Sequence, residues 1–223
     1  MKHTIVITES QYRRLTESVN SSVITSALNS CTKYREMVQY CNTNIGTNIG
    51  LGSSRVVYQL DDEKVIKVAY NEKGTAQNKE EAESTKRVQK YSFIPRVYDY
   101  NPDGRWIISE YVLPAEKEDF EQCLGIDLQE FKNILYTIEL SLNGKYVETH
   151  PDYIKGQQIP IFREIEDYCT NSNAPVGDLI GIRNWGLGLR DGKEHLILLD
   201  HGLNEEILNK YYRGVQGYRS TIM

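Results

Sequence analysis

Apolar and polar positions change period several times along this chain, and each change predicts an element. "TIVI" (residues 4–7) reads as a short strand. "TESQYRRLTESV" follows, with Thr8 three residues before Gln11, the spacing of a capping box, and predicts a helix. Residues 21–43 are polar and moderately helical, with Val23, Leu28, Met37 and Val38 as contact positions, until "NTNIGTNIGLG" breaks the helix. Residues 1–45 thus read as an N-terminal helical extension. From residue 49 the period becomes two. "RVVYQL" and "KVIKVAY" are β-rich runs joined by "DDE", an antiparallel hairpin. "KGTAQNKEEAESTKRVQKY" contains no proline and is rich in helix formers, with Thr75 as its N-cap. A second hairpin runs from Arg96 to Tyr100, turns at "NPDG" and returns from Arg105 to Val112.

Beyond Pro114 the period is helical. Asp127 caps "DLQEFKNILYTIELSLNGK" with Glu130 three residues on. Leu128, Phe131, Leu135, Ile138 and Leu142 form one apolar stripe, and Asn143-Gly144 ends it. A shorter helix is predicted over Ile161–Cys169. The segment containing Asp178 and Asn184 has too little periodicity for a helix. "NWGLGLRDGKEHLILLDHGL" then gives two strands around an "RDGKE" turn, the second running into Asp200.

The totals narrow the function. The 223 residues carry a net charge of -5 with a pI near 5.5, which disfavours a nucleic-acid partner. Mean hydropathy is -0.52, no apolar run is long enough to span a bilayer, and the start lacks the form of a secretion signal, so a soluble, cytoplasmic chain is expected. Cys31, Cys41, Cys123 and Cys169 are scattered, which implies reduced thiols and no zinc site. The sixteen tyrosines have no explanation in the sequence.

Five features carry candidate chemistry. Gly50 and Gly52, followed by Ser53 and Ser54, permit a backbone turn close to a ligand, where N–H groups could meet phosphate oxygens; a plain hairpin turn has the same composition. Lys67 shares a strand face with Val65 and Ala69, so its ammonium must find an anion or water. Glu80, Glu81 and Glu83 supply such an anion, Glu81 being favoured. Asp178 could accept a hydroxyl proton and Asn184 could offer an oxygen to magnesium; both also suit turns. Asp200 leaves the apolar run "LILL" ahead of His201-Gly202, as a metal ligand or a strand-ending turn.

The order of these parts resembles that of protein kinases, from about Ile49 to Leu203. "GLGSSRVVY" is similar to the kinase glycine loop, with Arg55 in place of its third glycine and Val57 at its valine. "VIKVA" resembles the strand carrying the phosphate-binding lysine. "ISEYVLP" resembles the hinge, with Glu110 to Val112 toward adenine. "LDHGL" resembles Asp-Phe-Gly with His201 for the phenylalanine. More narrowly, "SSRVVYQLDDEKVIKVAYNEKGTAQN" and "DLIGIRNWG…LLDHGL" resemble small kinase-like proteins of tailed bacteriophages. The resemblance implies an α+β, two-lobed fold: a small nucleotide-binding lobe at 46–114 and a reduced helical lobe at 115–223. It implies an ATP- and Mg2+-dependent phosphotransferase. Lys67 would hold phosphates, Glu81 would orient Lys67, Asn184 and Asp200 would hold magnesium, and Asp178 would act on the acceptor, a host or phage protein among the candidates. There are departures. Asn184 lies six residues beyond Asp178, one more than in kinases; "PVGD" lacks the His-Arg lead-in; and only 21 residues follow Gly202. These departures favour the alternative, an inactive pseudokinase or interaction scaffold that at most binds nucleotide.

Overall fold

The computed structural model describes residues 21–46 and 48–212, so the strand and helix expected over residues 4–19 lie outside the described residues. The fold is mixed α+β. Helical residues 21–30 (α1) and Tyr34–Asn44 (α2) precede β1 (Gly50–Leu51), β2 (Arg55–Gln59), β3 (Lys64–Ala69) and helix α3 (Glu72–Val88). Strands β4 (Val97–Tyr100), β5 (Trp106–Glu110) and β6 (Leu113–Pro114) follow. Helices α4 (Lys117–Leu124), α5 (Leu128–Leu142), α6 (Pro151–Gln158), α7 (Pro160–Ser172) and α8 (Val176–Leu179) lead to a 3-10 turn at Ile182–Asn184. Strands β7 (Trp185–Arg190) and β8 (Lys193–Leu198) and helix α9 (Glu205–Tyr211) complete it.

Five strands form an antiparallel sheet in the order β1-β2-β3-β5-β4. Strand alternation divides its residues between two faces. Val56, Tyr58, Ile66, Val68, Trp106 and Ile108 share one face and pack with Leu28, Met37 and Cys41 of the extension. The polar rims of that layer are bonded as well: Trp106 Nε1 donates to Asn29 Oδ1 at 2.9 Å and Tyr58 Oη to Asn42 Oδ1 at 2.9 Å, while Arg105 reaches the Cys31 carbonyl. The extension is therefore part of the sheet's core. The register that pairs Arg55 with Ala69, Val57 with Lys67 and Lys67 with Ile107 places these residues on the other face, toward α3.

Helix α3 begins earlier than expected. Asn71, not Thr75, is the N-cap, its side chain accepting from Gly74 N at 3.0 Å. Glu72 and Lys73 are good helix formers, so the helix extends back to the first residue whose side chain can satisfy its free N–H groups. Thr75 lies inside the first turn and bonds Tyr34 Oη at 3.1 Å. A Cβ at Gly74 would stand 2.1 Å from the Ser54 carbonyl oxygen, so only glycine lets the helix approach the β1–β2 turn.

A second core joins α4, α5, α7 and α8 to the antiparallel sheet β6-β7-β8. Its centre is aromatic, with Phe131 against Phe120 at 4.8 Å and edge-on to Trp185 at 5.4 Å. The α5 stripe buries Phe131, Leu135 and Ile138 as expected, whereas Leu142 is exposed. Helix α7 runs longer than Ile161–Cys169, α6 has no counterpart in the sequence reading, and the Asp178–Asn184 segment holds short helical turns instead of a loop. Arg190 clamps the two cores. It forks onto Glu110 (Nη1–Oε1 2.7 Å, Nη2–Oε2 2.9 Å) and donates to the carbonyls of Ile94 at 3.0 Å and Ser92 at 3.2 Å.

Because Met37 is fully buried between the extension and the sheet, Met37→Ala is expected to lower stability to urea by about 2–4 kcal/mol. Val23→Ala, at an exposed position of α1, is expected to change it by less than about 0.5 kcal/mol.

Candidate functional site

Helix α3 presents Gln77, Asn78, Glu81, Ser84 and Thr85 to the interior, a polar stripe at helical spacing in place of an apolar one. Glu81 stands at its centre, fully buried. A lone buried carboxylate would be costly, and this one is paired at both oxygens. Oε2 meets Lys67 Nζ at 2.8 Å and Oε1 meets Arg55 Nη1 at 2.5 Å. Burial pushes the Glu81 carboxyl up, but the charges of Arg55 and then Lys67 outweigh it and hold it well below the ordinary carboxylate range. Glu80 bonds Arg87 at 3.5 Å and Glu83 is exposed, so of the three acidic candidates the helix delivers Glu81.

Lys67 also donates to the Leu199 carbonyl at 2.7 Å, which ties β3 to the end of β8. Arg55 completes the cluster: Nη1 donates to Asn78 Oδ1 at 3.2 Å and Nη2 meets Asp200 Oδ1 at 2.6 Å. Burial alone would lower the guanidinium's affinity for its proton; Asp200 and Glu81 reverse this and raise it. Asp200 is the outermost member, its side chain 39% exposed, and it also accepts from Gly202 N at 3.3 Å. A Cβ at Gly202 would stand 2.4 Å from the Gln77 carbonyl oxygen, so glycine sets this turn against α3.

The remaining expected residues fall into three groups. Asp178 and Asn184 are neighbours, the Asn184 amide donating to the Asp178 carbonyl and, at 3.5 Å, to its carboxylate. Burial, and next the charge of Asp200, push the Asp178 carboxyl up to about 6. Gly50 pairs with Val57, and Gly52 N donates to the Arg55 carbonyl at 3.0 Å, closing a hairpin turn. That turn is fastened to the β3–α3 junction. Tyr70 Oη donates to Gly52 O at 2.6 Å, Asn71 to Ser53 O at 3.2 Å and Lys73 Nζ to Ser53 Oγ at 2.8 Å, while Ser54 Oγ bonds Gln77. Glu110 is spent on Arg190. The Glu110 and Tyr111 amides donate to Arg96 O and Glu63 O, and Val112 is buried.

Sequence reasoning missed Arg55 as a site residue, along with Asn78, Gln77 and the burial of His201. Strand parity carried a signal for Arg55, since it falls on the face of Val57, opposite Val56 and Tyr58. His201 is buried and neither ring nitrogen has a hydrogen-bond partner among the described residues. Burial pushes it down to about 4, so it is neutral at physiological pH.

The two expected magnesium donors, Asp200 and Asn184, are each engaged in part. One Asp200 oxygen faces Arg55, the Asn184 amide nitrogen is turned to Asp178, and among the described residues no three His, Cys, Asp or Glu side chains converge to hold a metal. No helix among the described residues is long and apolar enough to cross a membrane.

Asp178 and His201 act oppositely on stability as pH changes. Folded Asp178 keeps its proton up to about 6 against 3.8 unfolded, so its contribution favours folding at acid pH and is lost as pH rises through 4 to 6. Folded His201 resists protonation down to about 4 against 6.5 unfolded, so its contribution is present above 6.5 and lost as pH falls toward 4. Asp178→Asn is expected to raise stability at pH 7 by about 1–2 kcal/mol and to leave a steeper loss between pH 6.5 and 5. His201→Leu is expected to remove that loss, as read by thermal melting across the range. Comparison with protein-family models, with curated proteins and with solved structures finds no match for this chain.

Proposed function

We propose that this chain is a two-lobed, protein-kinase-like protein whose interlobe crevice binds the phosphates of a nucleotide such as ATP. The observation that carries the reading is the Lys67–Glu81 ion pair at 2.8 Å, buried within one cluster that also holds Asp200, from three segments far apart in the chain. An ammonium has three hydrogens. Glu81 and the Leu199 carbonyl take two of those on Lys67, and the third serves a phosphate oxygen. The turn at Gly52–Ser54, its Gly52 N–H already given to the Arg55 carbonyl, is fastened to the start of α3, which makes it a fixed wall rather than a moving flap. With the Glu110 and Tyr111 amides already bonded, an adenine ring along this stretch would meet Val112.

A second reading, phosphotransfer to an acceptor hydroxyl on a host or phage protein, draws on Asp178. A carboxyl titrating near 6, beside Asp200 and bonded by Asn184, suits a group that accepts a proton in the transition state. The altered aspartate loop, one residue longer between Asp178 and Asn184, and the Arg55 replacement favour the binding-only reading.

Saturating ATP, at about 100 times Kd, is expected to add about 2.7 kcal/mol to stability and raise Tm by roughly 5–10 °C. Lys67→Met, which leaves Glu81 paired with Arg55, should abolish the shift; a wild-type chain that ignores ATP overturns the proposal. Transfer of radiolabelled γ-phosphate that falls by about 100-fold or more in Asp178→Asn would establish the second reading, and no transfer by the wild type would dismiss it.

A further inference from the structure

Resting on the nucleotide reading above, we propose that Arg55 is the resident cation of this site. Asp200 is then a displaceable anion that stands where a ligand phosphate lands, so the site takes nucleotide polyphosphate without a divalent metal. The four charged groups differ in depth. The Glu81 side chain is 0% exposed, Arg55 6% and Lys67 7%, whereas Asp200 is 39% exposed. Glu81 is locked by two cations and cannot leave without stranding both. Asp200 is held by one side chain, Arg55, through a single oxygen, beside a glycine, with its outer surface already in water. It is the anion that an incoming phosphate can replace.

Charge points the same way. Arg55 and Lys67 together balance Glu81 and Asp200. Once Asp200 swings outward, Arg55 and Lys67 are left in contact with one carboxylate, Glu81, while Asp178 and Arg183 form an opposed pair beyond it, and the surplus positive charge at the two cations suits a phosphate. A guanidinium with one N–H edge on Glu81 and Asn78 and the other released from Asp200 offers the fixed fork that matches phosphate oxygens. A divalent ion at Asp200 would instead have to stand beside that buried guanidinium, where repulsion is poorly screened. The proposal reverses the usual sign for Asp200. A metal-ligating aspartate strengthens nucleotide binding, whereas a competing aspartate weakens it.

Calorimetric titration of ATP and of inorganic tripolyphosphate into the full chain, in EDTA and in excess Mg2+, tests this. The wild type is expected to bind both in EDTA at least as tightly as with Mg2+. Asp200→Asn should tighten binding in EDTA by roughly three- to tenfold, and Arg55→Gln should weaken it by more than about tenfold. Binding confined to Mg2+, or an Asp200→Asn variant that binds equally or more weakly in EDTA, overturns the inference and leaves the nucleotide reading standing. No binding under either condition overturns both. The wild-type comparison needs no variant to fold, so a misfolded Arg55→Gln protein leaves the decision with it.

Discussion

A carboxylate with one cation on each oxygen, sealed from water, is the interaction on which this structure turns. Glu81 is buried with Arg55 and Lys67 as its counter-ions, and Lys67 meets no other carboxylate among the described residues, while Arg55 bridges Glu81 to Asp200. The three side chains come from β2, β3 and α3, so satisfying them fixes how α3 lies on the sheet. Asp200 and the Leu199 carbonyl extend the same requirement to the end of β8. One electrostatic cluster thus sets the relation between both cores, with the Arg190–Glu110 fork as a second fastening at the opposite end of β5 from the turn at 101–105.

The sheet can carry charge on one face because its other face is fully apolar and covered. Val56, Tyr58, Ile66, Val68, Trp106 and Ile108 meet Leu28, Met37 and Cys41 of the extension, which supplies burial that the charged face does not. Residues 21–44 are accordingly structural in this account. The tightness of the β1–β2 turn follows from the same arrangement: it is anchored by Tyr70, Asn71, Lys73 and Gln77 at the point where α3 starts. A fixed turn suits a binding site that is formed before its ligand arrives.

Strand alternation made the two hairpins of the first sheet, the last hairpin and the α5 stripe legible, because period two and period 3.6 survive in "RVVYQL", "KVIKVAY" and "DLQEFKNILYTIEL". Lys67 and Glu81 were legible for a related reason: a charge on an inward face requires an opposite charge. The start of α3 was misplaced because Asn71 and Thr75 are both competent caps, and the helix formers Glu72 and Lys73 carry it back to the earlier one. Helix α6 was missed because "PDYIKGQQ" has almost no apolar periodicity and packs through Gly156. Arg55 was read as a missing glycine, and its part became visible only once Glu81 and Asp200 were placed on either side of its guanidinium. His201 gave no local signal, since burial without a hydrogen-bond partner is a property of the packed core.

The central claim is that Glu81 and its two cations act as one unit. A double-mutant cycle on Arg55→Met and Glu81→Leu, read by urea unfolding, tests it most directly. The account predicts that each single change costs about 3–5 kcal/mol, by leaving a buried charge short of its partner, and that the double variant recovers more than about 2 kcal/mol of the summed loss. Losses that add to within about 0.5 kcal/mol would contradict it.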